Sequence, residues 1–134
     1  MGRKVICAGT FDHFHPGHLD FLKQAKSLGD ELMVIVARDE TVRRIKGFLP
    51  SHDEQQRRAN VESARIADLV VLGHLDTDLF EIVDELGPDV IALGYDQRVS
   101  EEEIRRRFPR LTVVRLASFH PEHFKSSVYR NKRT

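Results

Sequence analysis

The chain has no tryptophan, one cysteine, two tyrosines and a formal net charge of zero over 134 residues. Each shortage excludes something. The single cysteine, Cys7, rules out an intramolecular disulfide and fits a reducing, cytoplasmic setting. It falls in the first apolar run, where a buried, inert thiol is expected rather than a nucleophile. Basic and acidic residues balance at 21 each, so no general attraction to nucleic acid or to an anionic membrane is expected, although a local basic patch is compatible with that balance. Long apolar stretches are also missing, and Leu32 to Ala37 is far too short to span a bilayer. Arg3-Lys4 and the few apolar residues after them do not read as a signal peptide, because the apolar region ends at Gly9-Thr10. Neither a Walker A sequence nor a G-x-G-x-x-G is present, which argues against a P-loop kinase and a nicotinamide dehydrogenase.

What is present is a repeated alternation. Short apolar runs at Val5 to Ala8, Leu32 to Ala37, Leu69 to Leu72, Val90 to Leu93 and Leu111 to Leu116 are separated by stretches of helical periodicity. The second, third and fourth runs are unbroken, which suits strands buried on both faces. The fifth is interrupted by Arg115 and reads as an edge strand. This spacing predicts an α/β fold, a Rossmann-like, doubly wound, five-stranded parallel sheet, in one domain over residues 1–134. Helices are expected at about His18 to Leu28, stopped by Gly29; at Asp39 to Ile45, ended near Gly47; from Ser51 or Asp53 onward; at Thr77 to Leu86, ended by Gly87-Pro88; and at Ser100 to Phe108. In the last, Ser100 and Glu103 form a capping box, and Glu101–Arg105, Glu102–Arg106 and Glu103–Arg107 are spaced as helical ion pairs on a solvated face.

The chemistry concentrates in Ala8-Gly9-Thr10-Phe11-Asp12-His13-Phe14-His15-Pro16-Gly17-His18, where the first strand turns into the first helix. Such a turn aims backbone N–H groups and the positive end of a helix dipole at one point, which suits a phosphate. Gly9 and Gly17 are expected to let the backbone approach a ligand, and Pro16 fits the start of a helix. We expect this stretch to grip a nucleoside triphosphate and His15 and His18 to help break it. A zinc site on His13, His15 and His18 is the less favoured alternative, because a convincing fourth ligand is lacking.

Gly9-Thr10-Phe11-Asp12-x-x-His15-x-Gly17-His18 resembles the signature of the cytidylyltransferase-like nucleotidyltransferases, relatives of the class I aminoacyl-tRNA synthetases. The resemblance extends over nearly the whole chain. Ala37-Arg38-Asp39, Ile45-Lys46-Gly47 and Ala92-Leu93-Gly94-Tyr95-Asp96-Gln97 bring it nearest to the archaeal FAD synthase group. The resemblance implies in-line attack by an acceptor phosphate, FMN first among candidates, on the α-phosphorus of ATP with release of pyrophosphate. By the same resemblance His15 and His18 contact the triphosphate, Thr10 offers a hydroxyl, and Phe11 offers its backbone N–H. Lys46 matches a family lysine on the segment after the second strand, with Arg43 and Arg44 weaker candidates beside it.

Arg57 matches the family's Glu-x-x-Arg helix start, with phosphate binding and a surface ion pair as nearly equal readings. Asp96 and Tyr95 follow the fourth strand, where open α/β sheets bind ligands. There Asp96 is a candidate partner for base or ribose, and Tyr95 a possible stacking ring. Ser126, Ser127 and Arg130 resemble the family's second phosphate motif, with Phe124 and Lys125 departing from it. Phe119-His120-Pro121-Glu122-His123 stands where cytidylyltransferases carry Arg-Thr-Glu-Gly, which counts against CTP; His120 and His123 receive no role. A divalent metal ion, taken as Mg²⁺, is expected to arrive with ATP, held mostly by its oxygens and water rather than by a protein cage. The resemblance also implies a homodimer. The alternatives are a glycerol-3-phosphate cytidylyltransferase, a phosphopantetheine adenylyltransferase and, in another class, a nucleotide sensor without turnover.

Overall fold

The computed structural model describes residues 2–74, 79–94, 97 and 100–117, with the side chains of Leu79 and Phe80 left aside. All five apolar runs are strands: β1 (Lys4–Gly9), β2 (Glu31–Val36), β3 (Leu69–Leu72), β4 (Val90–Leu93) and β5 (Thr112–Arg115). They form one parallel sheet in the order β3-β2-β1-β4-β5. Between them run α1 (Pro16–Lys26), α2 (Asp39–Lys46), α3 (Glu54–Ser63), α4 (Leu79–Leu86) and α5 (Glu101–Arg107).

Strand periodicity divides the core into two layers. Val5, Cys7, Leu32, Val34 and Val36 face one way and pack with Leu22 and Ala25 of α1 and Val61 of α3. Ile6, Met33, Ile35, Ile91 and Leu93 face the other way and pack with Ile82 and Val83 of α4 and Ile104 of α5. Helices therefore cover both faces, which is the doubly wound arrangement the alternation implied. Complete burial of one side chain such as Leu22 or Val34 is worth about 2 kcal/mol. Cys7 lies inside the first layer, and burial pushes its thiol pKa up, so it is inert at neutral pH.

Three expectations need correction. β3 is not buried on both faces: it is an edge strand like β5, and Leu69 is 43% exposed. The first helix begins two residues earlier than the periodicity suggested, because Pro16 takes its first position behind His15 as N-cap. It also ends before Gly29, at Lys26 with Ser27 as C-cap. Gly29 answers to packing instead, since a Cβ there would sit 2.7 Å from the carbonyl oxygen of Arg3. Gly47 and Gly87 do terminate α2 and α4 in the left-handed region, at φ 89° and 58°. Asp53, rather than Ser51, caps α3 by accepting from the Gln56 amide at 2.8 Å.

In α5, Ser100 accepts from the Glu103 amide, and Glu101 pairs with Arg105. Glu101 also receives Arg115 from β5 at 2.9 Å, so this charged run is partly tied to the sheet.

The amino edge of the sheet shows a repeated device. An aspartate stands immediately before β2, β3 and β4. Asp30, Asp68 and Asp89 accept the backbone N–H of Arg3, Leu32 and Lys4 at 2.7, 2.8 and 2.9 Å. Strand-end donors that lack a ladder partner are thereby satisfied.

Candidate active site

The carboxyl edge of the sheet opens where the strand order reverses. β1 and β4 pair only through Val5↔Val90 and Ile6↔Ile91, then part. A crevice at such a switch point is the ligand site of open α/β sheets. The turn from β1 into α1 stands at its mouth, and it carries both histidines.

His15 is the N-cap of α1, and its Nδ1 accepts the Gly17 N–H at 3.0 Å. Its own backbone N–H is accepted by His18 Nδ1 at 3.3 Å. The two imidazoles form a reciprocal capping box and stack at 3.8 Å between centroids, 16° apart. A backbone amide can only donate, so both Nδ1 atoms are unprotonated acceptors. Each neutral ring therefore carries its proton on Nε2, and the turn presents a pair of parallel rings with one N–H donor each. Desolvation, reinforced by the neighbouring His13, lowers the His15 pKa; desolvation and then His15 lower that of His18 to about 4, against the opposing pull of Asp12. At neutral pH both rings are uncharged donors.

Aromatic contacts hold this pair. His18 meets the Phe11 edge and stacks on Phe14, each at 5.4 Å. Phe11 is 3% exposed, and its backbone has φ 56°. Its ring also explains Gly9: a Cβ there would lie 3.0 Å from two Phe11 ring carbons. The expected room for a ligand at Gly9 is thus filled by Phe11, and the Gly17 N–H is engaged by His15. The Thr10 carbonyl likewise accepts from Arg57.

Two residues without an assigned role in the sequence reading organise the loops. Asp12 accepts the Ser51 and His52 amides at 2.8 and 3.0 Å, tying the β1–α1 turn to the approach to α3. Desolvation pushes the Asp12 pKa up, but the two amides and the His52 ring outweigh it and hold the carboxyl below its ordinary range. Gln97 closes the switch point. Its Oε1 accepts from Gly94 N at 2.7 Å while its Nε2 donates to the Ala8 carbonyl at 3.2 Å, so one side chain bridges the ends of β4 and β1. The signal for both lay in the family motifs that contain them, and periodicity carried none.

Arg57 is not the surface residue that one reading expected. It is fully buried. It donates to the carbonyls of His52, Thr10 and Ala37 at 2.8 to 2.9 Å and to Asp39 at 2.6 Å. Three segments at the rim, the β1–α1 turn, the β2–α2 junction and the approach to α3, converge on this one guanidinium, which reaches a phosphate only by releasing them. Lys46 ends α2 and is exposed, and Arg43 is engaged by Glu40. Tyr95, Asp96, Ser126, Ser127 and Arg130 lie outside the described residues, as do His120 and His123.

Rim carboxylates do not make a cage for a divalent ion among the described residues: Asp12 is engaged by amides and Asp39 by Arg57. A group with metal-ligand chemistry occurs beyond the edge strand β3, where His74, Glu81 and Glu85 bring ligand atoms within 4.8 Å of one another. It takes no part in the turn described above. Among the described residues no helix is long and apolar enough to cross a membrane.

Comparison with known proteins agrees with this geometry. Residues 6–132 match the family described as Cytidylyltransferase-like. The FAD synthase of Aciduliprofundum boonei is 48% identical over 120 residues, covering 87% of this chain and 79% of that protein. The FAD synthase of Thermoplasma volcanium is 39% identical over 133 residues, covering 96% and 92%. The crystal structure of the lipopolysaccharide core biosynthesis protein from Thermoplasma volcanium GSS1 superposes with a TM-score of 0.84 at 38% identity, covering 90% of this chain and all of that one (100%). With the strand order, the His-Pro-Gly-His turn and a family match over most of its length, this chain belongs to the cytidylyltransferase-like nucleotidyltransferases.

Proposed function

We propose that residues 1–134 act as one ATP:FMN adenylyltransferase domain, an FAD synthase. An FMN phosphate oxygen bonds to the α-phosphorus of ATP in line, the bond to the β-phosphate bridging oxygen breaks, and pyrophosphate leaves. The observation that carries this reading is the paired imidazoles with both Nδ1 atoms capped by backbone amides. Two fixed, neutral Nε2–H donors side by side at a helix N-terminus suit charge that grows on phosphoryl oxygens in the transition state. Being neutral, they supply hydrogen bonds without needing protonation at pH 7. FMN as acceptor is supported by the name that the relatives above carry.

His15 and His18 take the triphosphate, with Lys46 as a third catalytic group after β2. Gly9, Thr10, Phe11 and Gly17 shape the turn around the nucleotide. Asp96, Ser126, Ser127 and Arg130 complete nucleotide binding by family resemblance, and Tyr95 is a further contact on the same ground. Arg57 positions the rim through the carbonyls it holds. A divalent ion such as Mg²⁺, bound mainly through ATP rather than through side chains of this chain, would supply neutralisation of the phosphate charge. The working form is a homodimer.

Pyrophosphate release is followed with ATP and FMN, and with CTP and glycerol 3-phosphate. FAD and pyrophosphate from the first pair are expected. Transfer of CMP with no FAD formed would replace this reading by a cytidylyltransferase, and binding of ATP without turnover by a sensor.

A further inference from the structure

The second and third helices are joined by an excursion that leaves the sheet and returns to the site. It starts at Asp39, which Arg57 holds, and ends at Ser51 and His52, which Asp12 holds. Between these anchors α2 buries one side chain, Val42. The last turn of the helix and the residues after it expose three large apolar side chains: Ile45 at 77%, Phe48 at 63% and Leu49 at 59%. Leu69, on an edge strand, is the only other large hydrophobic so exposed among the described residues. Gly47, left-handed at φ 89°, turns the chain between Ile45 and Phe48 and has open space where a Cβ would stand.

Three large apolar side chains exposed within residues 45–49, at the end of a polar helix, need an occupant. Two features of their setting select one. Lys46, also exposed, lies between Ile45 and Phe48 in the chain, so the same five residues carry exposed apolar surface and a cation. Leu49 is two residues from Ser51, whose amide is fixed to Asp12 just before the His-Pro-Gly-His turn, so a short stretch of chain tethers this tip beside the candidate site. The matching ligand has a flat apolar body and an anionic group at one end. We propose that Ile45, Phe48 and Leu49 seat the aromatic ring system of the phosphorylated acceptor and so set acceptor choice. This rests on the adenylyltransferase reading and assigns to it the part of the site that distinguishes a ring-bearing acceptor from a small phosphorylated alcohol. Apolar contact with the ring contributes binding that is the same before and during transfer, whereas the nucleotide is held elsewhere.

The test compares the wild-type chain with Ile45→Ser and with the double variant Phe48→Ser/Leu49→Ser. These positions are exposed, so the fold does not depend on them, and a thermal melt checks this. KM for FMN should rise about tenfold, the effect of losing one well-covered apolar side chain, while KM for ATP stays within about twofold. Titration of FMN fluorescence without ATP should show the same weakening. Unchanged FMN binding in both variants overturns the proposal. A fall in sedimenting mass with FMN affinity intact also overturns it, and assigns the patch to contact with a second copy. Wild-type protein that neither forms FAD nor binds FMN removes the adenylyltransferase reading itself, an outcome visible before any variant is made.

Discussion

The two edges of the sheet solve opposite problems. At the amino edge the strands begin with unpaired N–H groups, and aspartates accept them: Asp30, Asp68 and Asp89. At the carboxyl edge the strands end in unpaired carbonyls, and donors from Arg and Gln cover them. Arg57 takes Thr10 and Ala37, Arg38 takes Gly73 at 2.7 Å, Gln97 takes Ala8, and Arg115 takes Gly94 at 2.7 Å. A parallel sheet thus calls for acceptors at its amino end and donors at its carboxyl end, as a consequence of strand direction. The difference is instructive because the carboxyl edge also carries, on His15 and His18, neutral imidazole N–H groups whose Nδ1 atoms are already engaged. The amino edge serves stability. The carboxyl edge divides the two duties between buried Arg57 and the exposed histidine turn.

The largest effect expected is on turnover. His15→Ala together with His18→Ala should lower the rate of pyrophosphate release by on the order of 10³-fold, since loss of one preorganised donor to developing charge typically costs ~10²-fold or more. Loss of the capping box should also cost about 1–2 kcal/mol of stability, so turnover is compared well below the lowered melting temperature. Full turnover in the double variant would leave the carboxyl edge without its distinguishing feature. The next effect is on stability at that same edge. Arg57→Met strands three carbonyls and the Asp39 carboxylate, at a cost of about 3 kcal/mol or more, read from the urea midpoint. That is a large share of the ~5–15 kcal/mol available to a domain. If Arg57→Met melts like the wild type, the division of duties proposed for the carboxyl edge fails.

Legibility in the sequence follows the same division. Strands and helix positions were readable because burial imposes period two on β1 and β2 and a turn residue such as Gly47 or Gly87 marks a helix end. β3 misled because an unbroken apolar run looks alike in a central strand and in an edge strand covered on part of its surface. Gly29 misled because a glycine kept small by Arg3 resembles one kept for its conformation. At the site, the histidine turn was readable since its residues are consecutive. Arg57 was ambiguous, because its four acceptors come from segments up to 47 residues away, and no local pattern distinguishes a buried arginine from a surface one. The ring tautomers, the Asp12 tether and the Gln97 bridge depend on such distant or geometric relations, and they emerge only from the fold.

Acid sharpens the contrast in a smaller way. The folded-state pKa of His18 is depressed to about 4 from an ordinary value near 6.5, and that of His15 is lowered as well. Between those values the unfolded chain binds more protons than the native one, so stability falls as pH falls through that window. The His15→Ala/His18→Ala variant should lose less stability than the wild type between pH 6.5 and about 4, measured by urea unfolding at stepped pH. An identical slope in the two proteins would mean that the rings are not desolvated as described.

Asp68 at the amino edge works in a different window and more weakly. Its carboxyl is held below its ordinary value of 3.8 first by the Lys26 ammonium at 2.6 Å and then by the Leu32 amide. Such a depressed carboxylate contributes stability that is present above about pH 3.8 and is lost as pH falls through its folded value. Asp68→Asn keeps an acceptor for Leu32 and removes only the charge facing Lys26. Both partners are substantially exposed, so solvent screening limits the loss at neutral pH to within ~1 kcal/mol. The variant should also lose less stability than the wild type below pH 3.8 and should form pyrophosphate at the wild-type rate, since Asp68 stands at the opposite end of the strands from the histidine turn. A turnover defect in Asp68→Asn at unchanged stability would show that the two edges are coupled, and that the separation of their duties drawn from the hydrogen bonds is wrong.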